Sequence, residues 1–246
     1  MHVTRETTVA EIASTMPRSI PVFQKHGIDF CCGGKRPLAT VCSEKGVAFD
    51  AIVGEIETAG HATAESGADW ATEPLGAIVD HILARYHAEL KEELPRLLAL
   101  AEKVAAVHGA NHPDTLPALR DTFHSLKDEL DSHLEKEEHV LFPYVRDLET
   151  AARGLTPSFS LPLGLASGAI SVMEREHEVA GLALKTIHRL TGGFRPPDDA
   201  CGSFRALYAG LEIFEADLHR HIHLENNILF PRAMGMERKL GGDARA

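Results

Sequence analysis

The sequence predicts an all-α protein, a four-helix bundle preceded by a small helical domain. Three observations predict it. Four long stretches repeat apolar residues at helical spacing, and no stretch keeps the period of two that a half-buried strand needs. One helix end is also written twice, as "HLEKEEHVLFP" at 133–143 and "HIHLENNILFP" at 221–231. A histidine, a glutamate four places on and the run Leu-Phe-Pro stand in the same register, 88 positions apart (221 − 133).

The elements follow in order from their stop and start signals. In residues 1–60, Thr8 can cap "VAEIASTM", Pro17 opens "PRSIPVFQKH" and Gly27 closes it, "PLATVCSEK" ends at Gly46, and Asp50 can cap "AIVGEIETA". These are four short helices. Residues 61–74 are small and polar and read as a linker. The bundle is expected over 75–235, with helices at 75–107, 116–145, 168–191 and 202–232, and residues 236–246 as a tail. Pro95 is expected to kink the first of these helices.

Composition excludes several classes of function. The 25 Lys and Arg face 36 Asp and Glu, a formal charge of −11 that argues against non-specific nucleic-acid or anionic-membrane binding. No apolar run approaches the ~20 residues of a membrane span, and the start "MHVTRETTVAEIAS" lacks the apolar core of a signal peptide. Four cysteines, two of them adjacent, make no disulfide scaffold, so a reducing cytoplasm is the expected home. The unusual count is 15 histidines.

A helix turns ~100° per residue, which places each histidine relative to the apolar stripe. His87 shares its face with Val79, Leu83, Leu90, Leu94 and Leu98, and His177 with Ile170, Met173 and Leu184. His133 and Glu137 fall on the stripe of Leu119, Leu126, Leu130 and Val140. His221 and Glu225 fall with Leu207, Phe214, Leu218 and Ile228. His81, His124, His139, His219 and His223 lie off these stripes, most of them toward solvent. His87 and His177 are 90 apart (177 − 87), so the bundle reads as a duplicated hairpin. A single His-x-x-x-Glu is ordinarily a solvated pair contributing a few tenths of a kcal/mol. Six such groups in one core would each cost several kcal/mol if left uncompensated, against a total domain stability of ~5–15 kcal/mol. Cations compensate best. Imidazole with carboxylate and no thiolate suits iron, manganese or zinc, and two shared carboxylates suit a pair of ions. Glu129 and Asp217 each stand four residues before an inward histidine and are candidates for holding an imidazole or carrying a proton.

"DHILARYH", "HLEKEEHVLFP", "VMEREHEVAG" and "HIHLENNILFP", in that order, resemble the hemerythrin-like domain. With "DFCCGGK" at the N-terminal side, the chain resembles the iron–sulfur cluster repair di-iron proteins over nearly its whole length. The resemblance implies a hemerythrin-like four-helix bundle holding two iron ions in a non-haem di-iron centre, with an oxo or hydroxo bridge. Its ligands would be His87, His133, His177 and His221, with Glu137 and Glu225 bridging. It also implies partners: iron–sulfur proteins damaged by oxidative or nitrosative stress or left as apoproteins, and small molecules such as nitric oxide or oxygen. A homodimer is a further expectation. One departure from oxygen-carrying hemerythrins stands out. Where they place a second histidine one turn after the third-helix ligand, this chain has Gly181, and the last acidic ligand follows its histidine by four residues rather than five. Fewer ligands leave coordination open, which favours reactivity or iron release over oxygen storage. The rival readings are a sensor of oxygen or nitric oxide and a di-iron nitric oxide reductase or peroxidase. Gly181 is expected to face the metals and keep space beside them.

Cys31 and Cys32 precede two glycines, Lys35, Arg36 and a helix, so their thiols are expected to have depressed pKa values. A redox relay, a metal hand-off, a partner contact and an inert buried turn all remain open for this pair. Cys42 and Cys201 are expected to pack within the fold.

Overall fold

The computed structural model describes residues 3–61, 69–157 and 165–243. Its first four helices are α1 (Val9–Thr15), α2 (Ile20–Lys25), α3 (Leu38–Lys45) and α4 (Phe49–His61). Thr8 starts α1 with a reciprocal cap: its hydroxyl accepts from the Glu11 N–H, and the Glu11 carboxylate accepts from the Thr8 N–H. Gly27 and Gly46 end α2 and α3 in the left-handed conformation that favours glycine. Asp50 lies in the first turn of α4, which already begins at Phe49. Val9, Ile12, Phe23, Ile28, Phe30, Leu38, Ile52 and Ile56 close the small core these helices share.

The bundle consists of four rods. The first joins α5 (Leu75–His81) to α6 (Ala88–His108), the second α7 (Leu116–Lys136) to α8 (Phe142–Ala152). The third is α9 (Leu165–Leu190), and the fourth joins α10 (Gly202–Leu224) to α11 (Phe230–Asp243). Three of these rods carry a π-helical turn inside them, at Ile82–His87, Glu137–Leu141 and Glu225–Leu229. There the bonds span five residues: Ala88 N–H to Leu83 C=O, Phe142 N–H to Glu137 C=O and Phe230 N–H to Glu225 C=O. In the second and fourth rods a proline, Pro143 or Pro231, follows at once. Proline has no N–H and crowds the carbonyl four residues back, and a widened turn relieves both problems without ending the helix.

The rods therefore run further than the sequence suggests. The second continues to Ala152 and the fourth to Asp243. The stretch expected as a tail from residue 236 is helical through Asp243, and the buried Glu237 in it accepts from the Tyr144 hydroxyl at 2.6 Å and from the Ala166 N–H at 3.1 Å. α6 continues through Pro95. Val140, expected inside, is exposed, because the π turn adds a residue and rotates the face: Leu141 and Phe142 are buried instead. Residues 62–68 of the expected linker and 158–164 of the second interhelical break lie outside the described residues. No strand occurs among the described residues.

The bundle core is divided into two apolar clusters. One gathers Leu94, Leu97, Leu119, Phe123, Leu126, Ile187, Leu207 and Leu211, the other Leu75, Ile78, Val145, Leu148, Ile170, Leu229 and Phe230. Between them lies a layer of buried polar side chains.

Candidate metal centre

That layer holds His87, His133, Glu137, His177, His221 and Glu225, every one of them buried. Two groups of four can be drawn from these six, and they share both carboxylates: His87, Glu137, His221, Glu225 and His133, Glu137, His177, Glu225. Glu137 Oε2 stands 3.3 Å from Nε2 of both His87 and His133. Glu225 Oε1 stands 2.9 Å from His221 Nε2, and Oε2 3.3 Å from His177 Nε2. Each carboxylate therefore touches one imidazole of each group, as two bridges between two ions must. The four-residue spacing sets this up, because the glutamate lies one turn beyond its histidine on the same face. The π turns open right at Glu137 and Glu225 and right before the end at His87.

The polar atoms here fit metal ions and little else. His87 Nε2, both oxygens of Glu137, His221 Nδ1 and Glu225 Oε2 are buried without a hydrogen-bond partner. Leaving such atoms unsatisfied costs ~1–3 kcal/mol each. Burial pushes the His133 imidazole down, but Glu137 and Glu225 outweigh it and raise it to about 9. Burial pushes the Glu225 carboxyl up, but His221 and His177 hold it well below the carboxylate range. Glu137 is likewise lowered by His133 and His87 despite its burial and the charge of Glu225. Ionised carboxylates and protonated imidazoles so close together mark a place where a proton stands in for a cation. Oxygen and nitrogen donors without sulfur, in two sets bridged by two carboxylates, fit a di-iron centre.

Outer groups orient the imidazoles. His87 Nδ1 is 2.9 Å from Glu138 Oε1, and Lys91 pairs with the same carboxylate at 2.7 Å. His133 Nδ1 is 2.9 Å from Glu176 Oε2, backed by Lys136. His177 Nδ1 is 2.8 Å from Asn226 Oδ1. None of these acceptors is Glu129 or Asp217. Those two sit a full turn from the layer: Glu129 is exposed, and Asp217 is held by Arg85 and Arg220 at 3.1 Å each. The signal for the real acceptors was adjacency, since Glu138, Asn226 and Glu176 are direct sequence neighbours of Glu137, Glu225 and His177.

The small domain covers one side of the layer. Asn227 Nδ2 donates to the carbonyls of Phe30 and Cys31 at 3.2 Å, and His223 Nδ1 stands 3.3 Å from the Phe30 carbonyl. His223 is thus buried rather than solvent-facing, and His219 also turns toward the Phe30 ring. Cys32 Sγ lies 3.5 Å from the His177 carbonyl. A Cβ on Gly181 would meet Cys32 Sγ at 3.6 Å, so this position faces the cysteine loop and not the metal layer. The Cys31 thiol is not activated as expected either. Lys35 turns to Glu174 and Arg36 to Glu44, and α3 begins only at Leu38. The contact with Cys32, burial and the charge of Asp29 push the Cys31 thiol well above its ordinary value. Cys42 is buried, but Cys201 is exposed at the start of α10, where the Phe204 N–H and His108 lower its pKa.

A bundle carrying this layer is a hemerythrin-type fold, and the chain belongs to that family: the hemerythrin HHE cation binding domain matches residues 79–233. Residues 5–60 match a second family, ScdA_N, described as a domain of unknown function. Among similar proteins, one from Cronobacter sakazakii, named iron-sulfur cluster repair protein YtfE, is 39% identical over 234 residues, covering 95% of this chain and 99% of that protein. Proteins of the same name from Yersinia pseudotuberculosis and Yersinia pestis are 38% identical over 230 residues, covering 94% of this chain and 97% of each relative.

Proposed function

We propose that this protein repairs damaged iron–sulfur clusters with a di-iron centre, by supplying iron, by nitric oxide chemistry, or by both. The observation that supports it most is the end-to-end similarity to proteins named for this repair, in a chain whose core layer fits two ions. In this reading His87 and His221 would hold one iron and His133 and His177 the other, with Glu137 and Glu225 available to both. The iron supplies redox and ligand-exchange chemistry when bound. The protein's own groups fix the rest: Glu138, Glu176 and Asn226 set the imidazole orientations, and the two apolar clusters keep bulk water out. Each ion would have two imidazoles and two shared carboxylates from this chain, a donor set that would suit release of iron or binding of a diatomic molecule. A groove lined by Arg85, Tyr86, Leu90, Phe214, Leu218 and His221 leads to the layer and suits a small guest. The chain divides, in the same reading, into a cysteine-bearing domain at 1–60, a linker at 61–74 and the bundle from 75. No described helix is long and apolar enough to cross a membrane, and the cytoplasm is the proposed location. The clients are iron–sulfur proteins.

The test is repair itself. Anaerobically purified, iron-loaded protein is mixed with a [4Fe–4S] dehydratase inactivated by nitric oxide. Recovery of dehydratase activity, absent with the Glu225→Leu variant, is the expected result. Equal recovery with free ferrous iron at the same concentration would reject the proposal.

A further inference from the structure

Cys31 Sγ and Cys32 Sγ lie 3.7 Å apart, both free, and Asp29 Oδ1 is 3.4 Å from Cys31 Sγ. One ligand atom from each of these three residues falls within 4.8 Å of the others. We propose that Asp29, Cys31 and Cys32 form a second metal site, which takes one thiophilic divalent ion and serves as a way-station for ferrous iron leaving the bundle. The way-station role rests on the iron-delivery reading above, whereas the site does not.

The loop is built to hold these atoms in place. Asp29 Oδ1 accepts the N–H groups of Cys31, Cys32 and Gly33 at 3.3, 3.0 and 3.0 Å, which folds the segment back over its own carboxylate. Lys185 pins the other oxygen at 3.2 Å. The glycines are needed for this shape: a Cβ on Gly34 would lie 2.6 Å from the Phe30 carbonyl oxygen and 2.9 Å from the Ala10 Cβ. Asn227 holds the Cys31 carbonyl from the fourth rod, two residues beyond Glu225. Cys32 Sγ rests on the carbonyl of His177, facing Gly181 one turn further along α9. The dithiol therefore stands directly over a residue of the metal layer.

The chemistry favours a cation. Two thiols and a carboxylate gather their ligand atoms within 4.8 Å of one another, a donor set that a divalent ion can hold together. Two S–H bonds give way to two S–metal bonds, and two protons pass to solvent, with no change of oxidation state. Sulfur with oxygen suits ferrous iron, zinc or cobalt. Three protein ligands from one short loop leave more positions open than the four residues of each group in the layer below, which makes the ion labile.

Cobalt(II) is the probe, because the bundle centre contains no sulfur and cannot give a thiolate-to-cobalt charge-transfer band. Full-length, iron-filled protein is titrated anaerobically with cobalt. The expected result is a near-ultraviolet charge-transfer band saturating at one cobalt per chain, abolished in C31S/C32S and unchanged in C201S. Asp29→Asn keeps the Oδ1 acceptor for the three N–H groups and drops the charge, so it should fold and bind cobalt about tenfold more weakly. No band in the native protein, or the same band in C31S/C32S with unchanged iron content, overturns the site. The rate of iron transfer to an apo-ferredoxin tests the role: it should fall about tenfold in both variants, and an unchanged rate overturns the way-station. A native protein that binds cobalt but transfers no iron supports the site and rejects iron delivery instead.

Discussion

The two copies of the His-x-x-x-Glu turn carry the same ligands in different surroundings. The copy at 133–143 continues Lys136, Glu137, Glu138, His139, and the copy at 221–231 continues Leu224, Glu225, Asn226, Asn227. In the first, Glu138 is a charged acceptor tied to the half-exposed Lys91, and His139 is exposed. In the second, the acceptor is the amide of the buried Asn226, while His223 and Asn227 meet the small domain. The inward face is constrained by the ions, so both copies keep it. The outward face follows whatever covers it, solvent in one case and the small domain in the other. A charged acceptor is affordable only where water or a lysine can reach it.

The strongest way to break the comparison is to remove the shared part. Glu137→Leu and Glu225→Leu should each drop iron from two per chain to less than one, since each carboxylate touches both groups. Metal analysis with Mössbauer spectroscopy checks this, and loss in one variant alone would show that the copies are unequal at the ions themselves. The next effect belongs to the outer acceptors. Glu138→Ala and Asn226→Ala should weaken iron retention against a ferrous chelator by ~10–100-fold, the carboxylate variant more than the amide. A smaller difference separates the histidines. His223→Ala should cost ~1–3 kcal/mol of stability in urea, whereas His139→Ala should stay within ~0.5 kcal/mol, with iron content kept in both. Gly181→Ala should change least. Its Cβ would sit at ordinary contact distance from Cys32 Sγ, and the helix gains up to ~1 kcal/mol, read as a higher melting temperature.

The inward residues were legible because helical periodicity is a strong signal when it repeats. His87, His133, His177, His221 and both glutamates could be selected from the apolar stripes, and the structure gathers all six in one layer. Periodicity failed where the helix itself changes pitch. A regular 3.6-residue repeat places Val140 inward, and the π turn after Lys136 moves it out. The Phe-Pro after each turn was the available cue, and proline reads more readily as a helix end than as a widened turn. His223 and the thiols failed for a different reason. Their environment is made by a domain distant in sequence, through Phe30 and Asp29, and no local pattern announces such cover. Lys35 and Arg36, near the cysteines in sequence, pair elsewhere in space.

The three π turns have a consequence for how this fold can change. Each holds one residue more than the regular ladder needs, with weaker backbone bonding. Deleting a single residue at such a turn would restore a tighter helix and swing everything beyond it by ~100° about the axis. The buried Phe142, Val145 and Leu148 beyond the turn of the second rod, and Phe230 and Ala233 beyond that of the fourth, would leave the core face with it, so the widened turns serve the packing as well as the ions.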